Sequence, residues 1–472
     1  MGRLVWTSCR QHRDGTEIRV NMQRSWTVTI ILVVGVLLRT PSVARAQEAQ
    51  PQGPTQPYRL TLKEAIRLGL QANLSVLVAE SKVKEAVGTR ERRLANLLPK
   101  ARIDNSDLFQ KVNLATKGLH SAFIPPIVGP FNSYDLRLRV DQPVLDLQSY
   151  HSWKSGEEGE RAARHDYQSS RDLVIRAIAS LYLSAQSAEA LVRSAETRVS
   201  ISQALLKLAN DQHDSGVATG LDVLRAKVQL ANDQQTLLSA RNTAQQKLLS
   251  LARNIGLNLA QPLVLAEALA YEPVQSPDIA ESVNAALNSR ADYLSLLRQR
   301  DQQVELQKAS RARLWPKLTV SGNYGGEGRT FPTIASTGAI QGLLSVTVFD
   351  RDREGERAEI DARLQRVNSQ IADLRVQIEE DIREALLNLE STAGEVKVAD
   401  DGLDLSKQEL ELARVRFQAG SSNNVEVVTA QENLIRAQEN QVSALTRYVD
   451  AKIALANAVG ATEKNYERFL GR

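Results

Sequence analysis

The sequence predicts a mainly α-helical protein with a small β part, in which a pair of strands precedes a long antiparallel coiled-coil hairpin and the whole unit occurs twice. Three observations carry this prediction: the chain repeats itself, heptad patterns run over long segments, and short stretches between them alternate apolar with polar residues. Aromatic residues make up only 4% of the chain, which is typical of long helices and not of a compact aromatic-cored enzyme.

The internal repeat is the strongest signal. A shift of 204 residues superposes the chain on itself without a gap, so that Val140 falls on Leu344. Further upstream the shift is 217, and Pro99 falls on Pro316. The difference places 13 extra residues in the first copy, between about 105 and 135, where a surface loop is expected.

Each copy contains a very long helix that ends at a tip, and a second helix then runs back along it to form an antiparallel hairpin. The a and d positions of the first copy follow spacings of 4 and 3 without a break, and they are Val174, Ile178, Leu181, Ala185, Ala188, Val192, Ala195, Val199, Ser202, Leu206 and Ala209. The stretch 153–213 holds no proline and would be roughly 90 Å long. Glycine-containing tips at 214–220 and 418–424 then end the long helices. A shorter helical segment precedes the strands in each copy, and in the first it runs from 62 to about 98.

Four strands are predicted, two in each copy. The stretch from Tyr134 to Asp141 alternates apolar and charged residues, and 317–322 and 344–349 behave alike, whereas the strand after Pro99 is poorer. The glycine-rich segment 324–329 fits no nucleotide-binding fingerprint, and we expect a loop there. Four strands cannot close a barrel, so if they cross a bilayer several chains must combine them.

The N-terminal leader predicts export. A basic stretch, a short apolar run and the small-x-small pattern at Ala44 and Ala46 are typical of a secretory signal peptide, with Met1 or Met22 as the start. The leader holds seven arginines against two acids, so the formal charge of +4 becomes −1 beyond it, which argues against nucleic-acid binding. The expected organisation is a signal peptide (1–46), a flexible mature N terminus (47–59), a first repeat (60–260), a linker (261–276), a second repeat (277–461) and a C-terminal tail (462–472).

The order of these elements resembles the TolC family of outer-membrane efflux proteins. The resemblance covers nearly all of 58–461 and includes the Leu-x-Pro-Lys helix stops, the segment 216–226, and the Arg416–Gly420 tip that precedes 425–428. It implies a homotrimer with a 12-stranded β-barrel in outer-membrane lipid, continuous with a periplasmic α-helical barrel. It further implies a periplasmic adaptor and an inner-membrane pump of the RND, ABC or MFS type, in tripartite efflux or type I secretion.

The resemblance also suggests a pore constriction at the tips. Glu426 matches one constriction acid of the family, and Asp222 is its counterpart in the first copy. Thr429 stands where a second acid is expected and Ser422 where a gate-locking arginine is expected, while Arg225 lies in the first tip. The alternative is that both acids only cap their helices, and the sequence alone does not separate the two roles.

The tip loops are candidate docking sites for the adaptor. They comprise Gly216, Val217 and Ala218 in the first copy, and Gly420, Ser421 and Ser422 in the second. Both could equally be simple helix–helix turns. We predict no catalytic residues, no cofactor and no metal site, because the histidines show no ligand spacing and the only cysteine, Cys9, lies in the leader. The alternative function is a periplasmic coiled-coil adaptor without a pore of its own.

Overall fold

The structure is a computed structural model that describes residues 57–463, apart from 115, 117, 119–122, 124, 217, 268, 275, 420, 423 and 461. The predicted signal peptide, most of the N-terminal segment and most of the C-terminal tail lie outside the described residues, as do the tip residues Val217 and Gly420. In chain order the elements are β1 Tyr58–Leu60, α1 Leu62–Ala72, α2 Leu74–Leu94, β2 Lys100–Asn113, β3 Ile127–Leu145, α3 Leu147–Asp214, α4 Gly220–Asn254, β4 Leu263–Leu265, α5 Ile279–Ser289, α6 Ala291–Ala312, β5 Lys317–Gly328, β6 Ala335–Ser345, α7 Arg351–Gln418 and α8 Asn424–Val459.

The two long helices, α3 and α7, each contain 68 residues, which corresponds to roughly 100 Å. Each begins at an aspartate N-cap in the matching repeat position, where the carboxylate of Asp146 accepts from Ser149 N and that of Asp350 accepts from Arg353 N. Each then packs against the returning helix of its own hairpin, α4 or α8. The heptad residues Val174 and Ile178 are buried, and so are Ile378 and Ile382 at the corresponding positions of the second copy. The predicted duplicated hairpins are therefore confirmed.

The helix expected from 62 to about 98 is two helices. Asn73 adopts an extended backbone between α1 and α2, and its side chain accepts from Ser75 N at 2.9 Å. Arg290 separates α5 from α6 at the repeat-related position. The apolar period continues through both breaks, which is why the sequence indicated one helix where the chain forms two.

Four long strands form one antiparallel sheet in the order β2-β3-β5-β6, so that β2 and β6 are its two edges within the described chain. One strand prediction and one loop prediction were wrong. The strand expected at 344–349 ends at Ser345, and it begins instead at Ala335, because β6 follows β5 in register. The loop expected at 324–329 is largely strand, since β5 continues to Gly328.

Gly325 explains why a glycine-rich segment belongs to this sheet. A side-chain Cβ at this position would lie 2.2 Å from the carbonyl oxygen of Leu136 and 2.4 Å from Cβ of Arg137, on the neighbouring strand. The backbones approach too closely for any other residue, so the glycine serves strand packing and not a turn.

A second, parallel pair of short strands joins the start of the described chain to the linker. β1 pairs with β4, with Leu60 opposite Leu265. Residues 58–59 therefore belong to a strand within the segment expected to be flexible. The buried Tyr182 of α3 donates its hydroxyl to the carbonyl oxygen of Leu60 at 3.1 Å, and Leu60 itself is fully buried. None of the helices in the described part of the chain has the length and apolar character of a membrane-spanning segment.

Candidate functional site at the hairpin tips

The first tip is a tight glycine turn. Gly216 has a φ of +79° and donates its N–H to the carbonyl oxygen of His213 at 2.9 Å. The N–H of Ala218 donates to the carbonyl oxygen of Gln212 at 3.1 Å, which satisfies a helix-terminal acceptor. A Cβ at Gly216 would meet no atom within 4 Å, so the turn is open to its surroundings in the described chain.

Asp222 is held in the cap of α4. Its Oδ2 accepts from the hydroxyl of Thr219 at 2.6 Å and from the N–H of Thr219 at 3.0 Å. The hydroxyl hydrogen bond, followed by the backbone one, holds the pKa of Asp222 below its usual range. Arg225 lies 3.9 Å away, with its Nη1 facing Asp222 Oδ1. The structure thus gives this acid the capping contacts that the sequence offered as an alternative.

The second tip folds back onto the end of α7. Ser421 donates both its N–H and its hydroxyl to the carbonyl oxygen of Arg416, each at 3.0 Å. The hydroxyl of Ser422 is buried and has no hydrogen-bond partner among the described residues. Thr429 is exposed on the next turn after Glu426, so the two lie on one side of α8.

Glu426 forms an ion pair that the sequence did not suggest. Its Oε1 lies 2.9 Å from Nη1 of Arg416, and the two side chains are 38% and 50% exposed. Phe417 and Val427 are buried in one apolar cluster, and they hold the end of α7 against the start of α8. Arg416 was visible within the tip motif, but its partner could be recognised only once the turn was known.

A buried polar cluster lies on the α3 and α4 helices above the first tip. Asp233 is fully buried and accepts from the guanidinium of Arg198 and from the hydroxyl of Ser202. Gln431 of the second hairpin donates its Nε2 to Ser202 Oγ at 3.1 Å, which ties the two hairpins together. The heptad pattern places Ser202 in the coiled-coil core, but it gives no sign of the charged neighbours of this residue.

The described residues contain no group of three or more histidine, cysteine or acidic side chains that could hold a metal ion. The geometry at the tips is that of half-exposed charges on helix ends, suited to pairing, repelling or attracting ions.

A family model described as outer membrane efflux protein matches residues 65–257 and 283–461. The chain belongs to the outer membrane efflux protein family. The two matched segments coincide with the two structural repeats. Membership confirms the resemblance seen in the sequence, and with it the outer-membrane location and efflux role that the family description states.

Curated relatives of this efflux protein come from Pseudomonas. The pyoverdine export outer membrane protein OpmQ of Pseudomonas putida is 25% identical over 309 residues, which span 63% of this chain and 64% of that protein. OpmQ of Pseudomonas aeruginosa is 26% identical over 68% of each chain. The probable efflux pump outer membrane protein TtgC of Pseudomonas putida is 22% identical over 79% of this chain and 81% of its own.

Solved outer-membrane channels share the fold of this efflux protein. VceC of Vibrio cholerae superposes with a TM-score of 0.72 at 19% identity, over 84% of this chain and 96% of that one. CmeC of Campylobacter jejuni gives 0.71 at 16% identity, over 87% and 89%. These likenesses confirm the predicted fold class, a TolC-like arrangement of strands and long helical hairpins.

Proposed function

We propose that three copies of the chain form a continuous duct that conducts substrates passively across the outer membrane. The observation that carries this proposal is the four-stranded sheet, whose edges β2 and β6 are both unpaired within the described chain, together with two helices of roughly 100 Å, α3 and α7. A bilayer tolerates no open strand edge, so the sheet must be completed by further copies. Bacterial barrels begin at about eight strands, and three chains supply twelve.

The working partners are a periplasmic adaptor and an inner-membrane pump of the RND, ABC or MFS type. The tips are the proposed docking surface, because Gly216, Ala218 and Ser421 lie at the far end of the hairpins from the sheet. The alternative of a pore-less adaptor is weaker, since the family model described as outer membrane efflux protein matches segments that contain both hairpins. Relatives are named for pyoverdine export and for efflux pumps. These names support the export of small molecules, but they do not single out one cargo.

Glu426 is the proposed constriction acid. Three copies near one axis would repel one another, and the ion pair with Arg416 in each subunit relieves that repulsion while the tips are closed. Release of Arg416 would remove its compensating positive charge from the three carboxylates and favour cations. Asp222 is the weaker candidate, because its carboxylate is already bound to Thr219.

Membrane fractionation, particle mass and conductance together test the duct. We expect the protein in the outer membrane, a particle mass of three chains in detergent, and discrete conductance steps in planar bilayers. Deletion of 101–144 removes two strands and should abolish membrane residence. A monomer released freely from the periplasm would refute the proposal.

A further inference from the structure

The internal repeat predicts which residues meet between subunits. A shift of 217 residues carries the first strand of the first repeat onto that of the second repeat, and a shift of 204 does the same for the second strand. A strand contact inside the chain tests these two shifts. Lys100 lies opposite Asp141 in the β2–β3 pair, and the two shifts carry this contact to Lys317 opposite Ser345. The β5–β6 pair has that register. The repeat therefore reproduces strand pairing to the residue.

The β3–β5 pair has no counterpart within the chain. In it, Asp141 lies opposite Ser321, and the same shifts carry this contact to Ser345 on β6 and Asp104 on β2. Those two residues lie on the opposite edges of one sheet and cannot meet within it. We propose that β6 pairs antiparallel with β2 of the next subunit, in the register that places Ser345 opposite Asp104. This inference rests on the proposed oligomeric duct.

The residue chemistry at the two edges supports this register. Ser321 donates its hydroxyl to Asp141 Oδ1 at 2.7 Å. The contact at the repeat-related positions, which we call its image, again joins a serine to an aspartate, but the serine lies on β6 and the aspartate on β2. On the other face, Ile340 falls opposite Phe109; they are 87% and 71% exposed in the single chain. Cross-strand aromatic and β-branched pairs of this kind stabilise sheets.

A contact at the junction of sheet and helices supports the same register between subunits. Lys317 Nζ lies 2.6 Å from Asp146 Oδ2 and ties β5 to the N-cap of α3. Its image joins Lys100 of one subunit to Asp350 of the next. Both are again of opposite charge, and Lys100 is exposed in the single chain.

A contact between two helices also supports this arrangement of neighbouring subunits. A Cβ at Gly159 of α3 would lie 2.9 Å from Gln302 Nε2 of α6, and the image of this approach brings Arg363 of α7 next to Glu85 of a neighbouring α2. Four contacts derived from the repeat thus combine complementary residue types. A slip of one residue would turn every side chain of β6 to the other face of the sheet and would lose the two contacts that β6 makes.

Disulfide trapping tests the register, because the mature chain beyond residue 46 contains no cysteine. The test variant is Asp104→Cys with Ser345→Cys, oxidised mildly in outer membranes and analysed under non-reducing conditions. Directly opposed residues have Cα atoms about 4.5–5.5 Å apart, within disulfide range. We expect covalent trimers from the double variant and single chains from either single variant.

The matched control is Leu108→Cys with Ser345→Cys, which keeps the same face but lies four residues, or about 13 Å, out of register. Phe109→Cys with Ile340→Cys is a second test on the opposite face, in case the first variant fails to insert. Trapping of Ser345→Cys with Arg102→Cys or Ser106→Cys in preference to Asp104→Cys would overturn the register, as would no trapping in particles of trimer mass. A wild-type particle with the mass of one chain would instead refute the duct itself.

Discussion

Asp146 and Lys317 join the two structural repeats where the sheet meets the helices, with 2.6 Å between Oδ2 and Nζ. The carboxylate also caps α3 by accepting from the N–H and hydroxyl of Ser149, at 2.9 and 2.8 Å. Burial opposes the charged form of Asp146, but these hydrogen bonds outweigh it and hold its pKa below the usual range.

Replacement of Lys317 by methionine should therefore destabilise the protein. The Asp146 side chain is only 3% exposed, but Lys317 is half exposed, so we expect a loss of about 1–2 kcal/mol, below the range for fully buried pairs. Because the folded-state pKa is depressed, the stabilisation is present at neutral pH and lost as the pH falls below about 4. Thermal unfolding in detergent measures it. Lys407→Met, in an exposed pair with Asp404, is the control and should change little.

Replacing a glycine at a helix end by alanine should destabilise the protein to a degree that depends on the atoms around that glycine. Gly256 has a φ of +73°, and an added Cβ would lie 2.4 Å from Cβ of Ala72. Gly216 has a similar φ of +79° but open space around it. Gly216→Ala should cost about 1–2 kcal/mol from backbone strain alone. Gly256→Ala should cost about 1–3 kcal/mol more, because the new methyl group overpacks the core. Equal shifts in the unfolding temperature would show that the contact with Ala72 does not matter.

Much of this architecture could be predicted because it is encoded in periodicity. The heptads fixed both hairpins, and the alternation in 134–141 fixed the core of β3. The β1–β4 pair could not be predicted, since each strand has three residues and their pairing joins Leu60 to Leu265, far apart in sequence. The shift of β6 was missed because its position depends on its register with β5 and not on its own pattern.

The candidate site, like the fold, could be predicted only in part from the sequence. Glu426 and Asp222 could be placed at helix starts from the sequence, because first-turn acids follow the glycine tips. Their partners are less visible in the sequence. Arg416 meets Glu426 only through the fold-back of the second tip, and Asp233 is buried against Arg198, 35 residues away on the preceding helix. Long-range polar contacts carry no period, so no pattern in the sequence indicates them.

Asp172 should make stability depend on pH. It is buried on α3, and burial raises its pKa to about 6, while the N–H of Glu463 and the adjacent Arg171 act in the opposite direction. The folded chain binds this proton more tightly than the unfolded chain, whose pKa is about 3.9. The stabilisation from protonation is therefore complete below about pH 4 and is lost as the pH rises through 6.

Asp172→Asn should accordingly raise the unfolding temperature at pH about 7.5, raise it by about half as much at pH about 5, and leave it nearly unchanged below pH about 4. The difference in stability should be at most about 3 kcal/mol, since one pKa unit corresponds to about 1.36 kcal/mol. Thermal unfolding across this range measures it. Asp166→Asn, at an exposed position six residues earlier, is the matched control for the loss of a carboxylate on this helix. A constant difference between wild type and Asp172→Asn at every pH would contradict the assignment.

The ion pair between Arg416 and Glu426 should control ion selectivity at the tips. Glu426→Gln removes the proposed ring of carboxylates and should shift the reversal potential in a potassium chloride gradient toward zero. Arg416→Gln removes this cationic partner of the carboxylate, so it should raise both cation selectivity and the fraction of open channels. Asp222→Asn is the matched control: its carboxylate is bound to Thr219, so helix stability should fall with little change in selectivity. If Asp222→Asn shifts the reversal potential and Glu426→Gln does not, the constriction lies at the first tip instead.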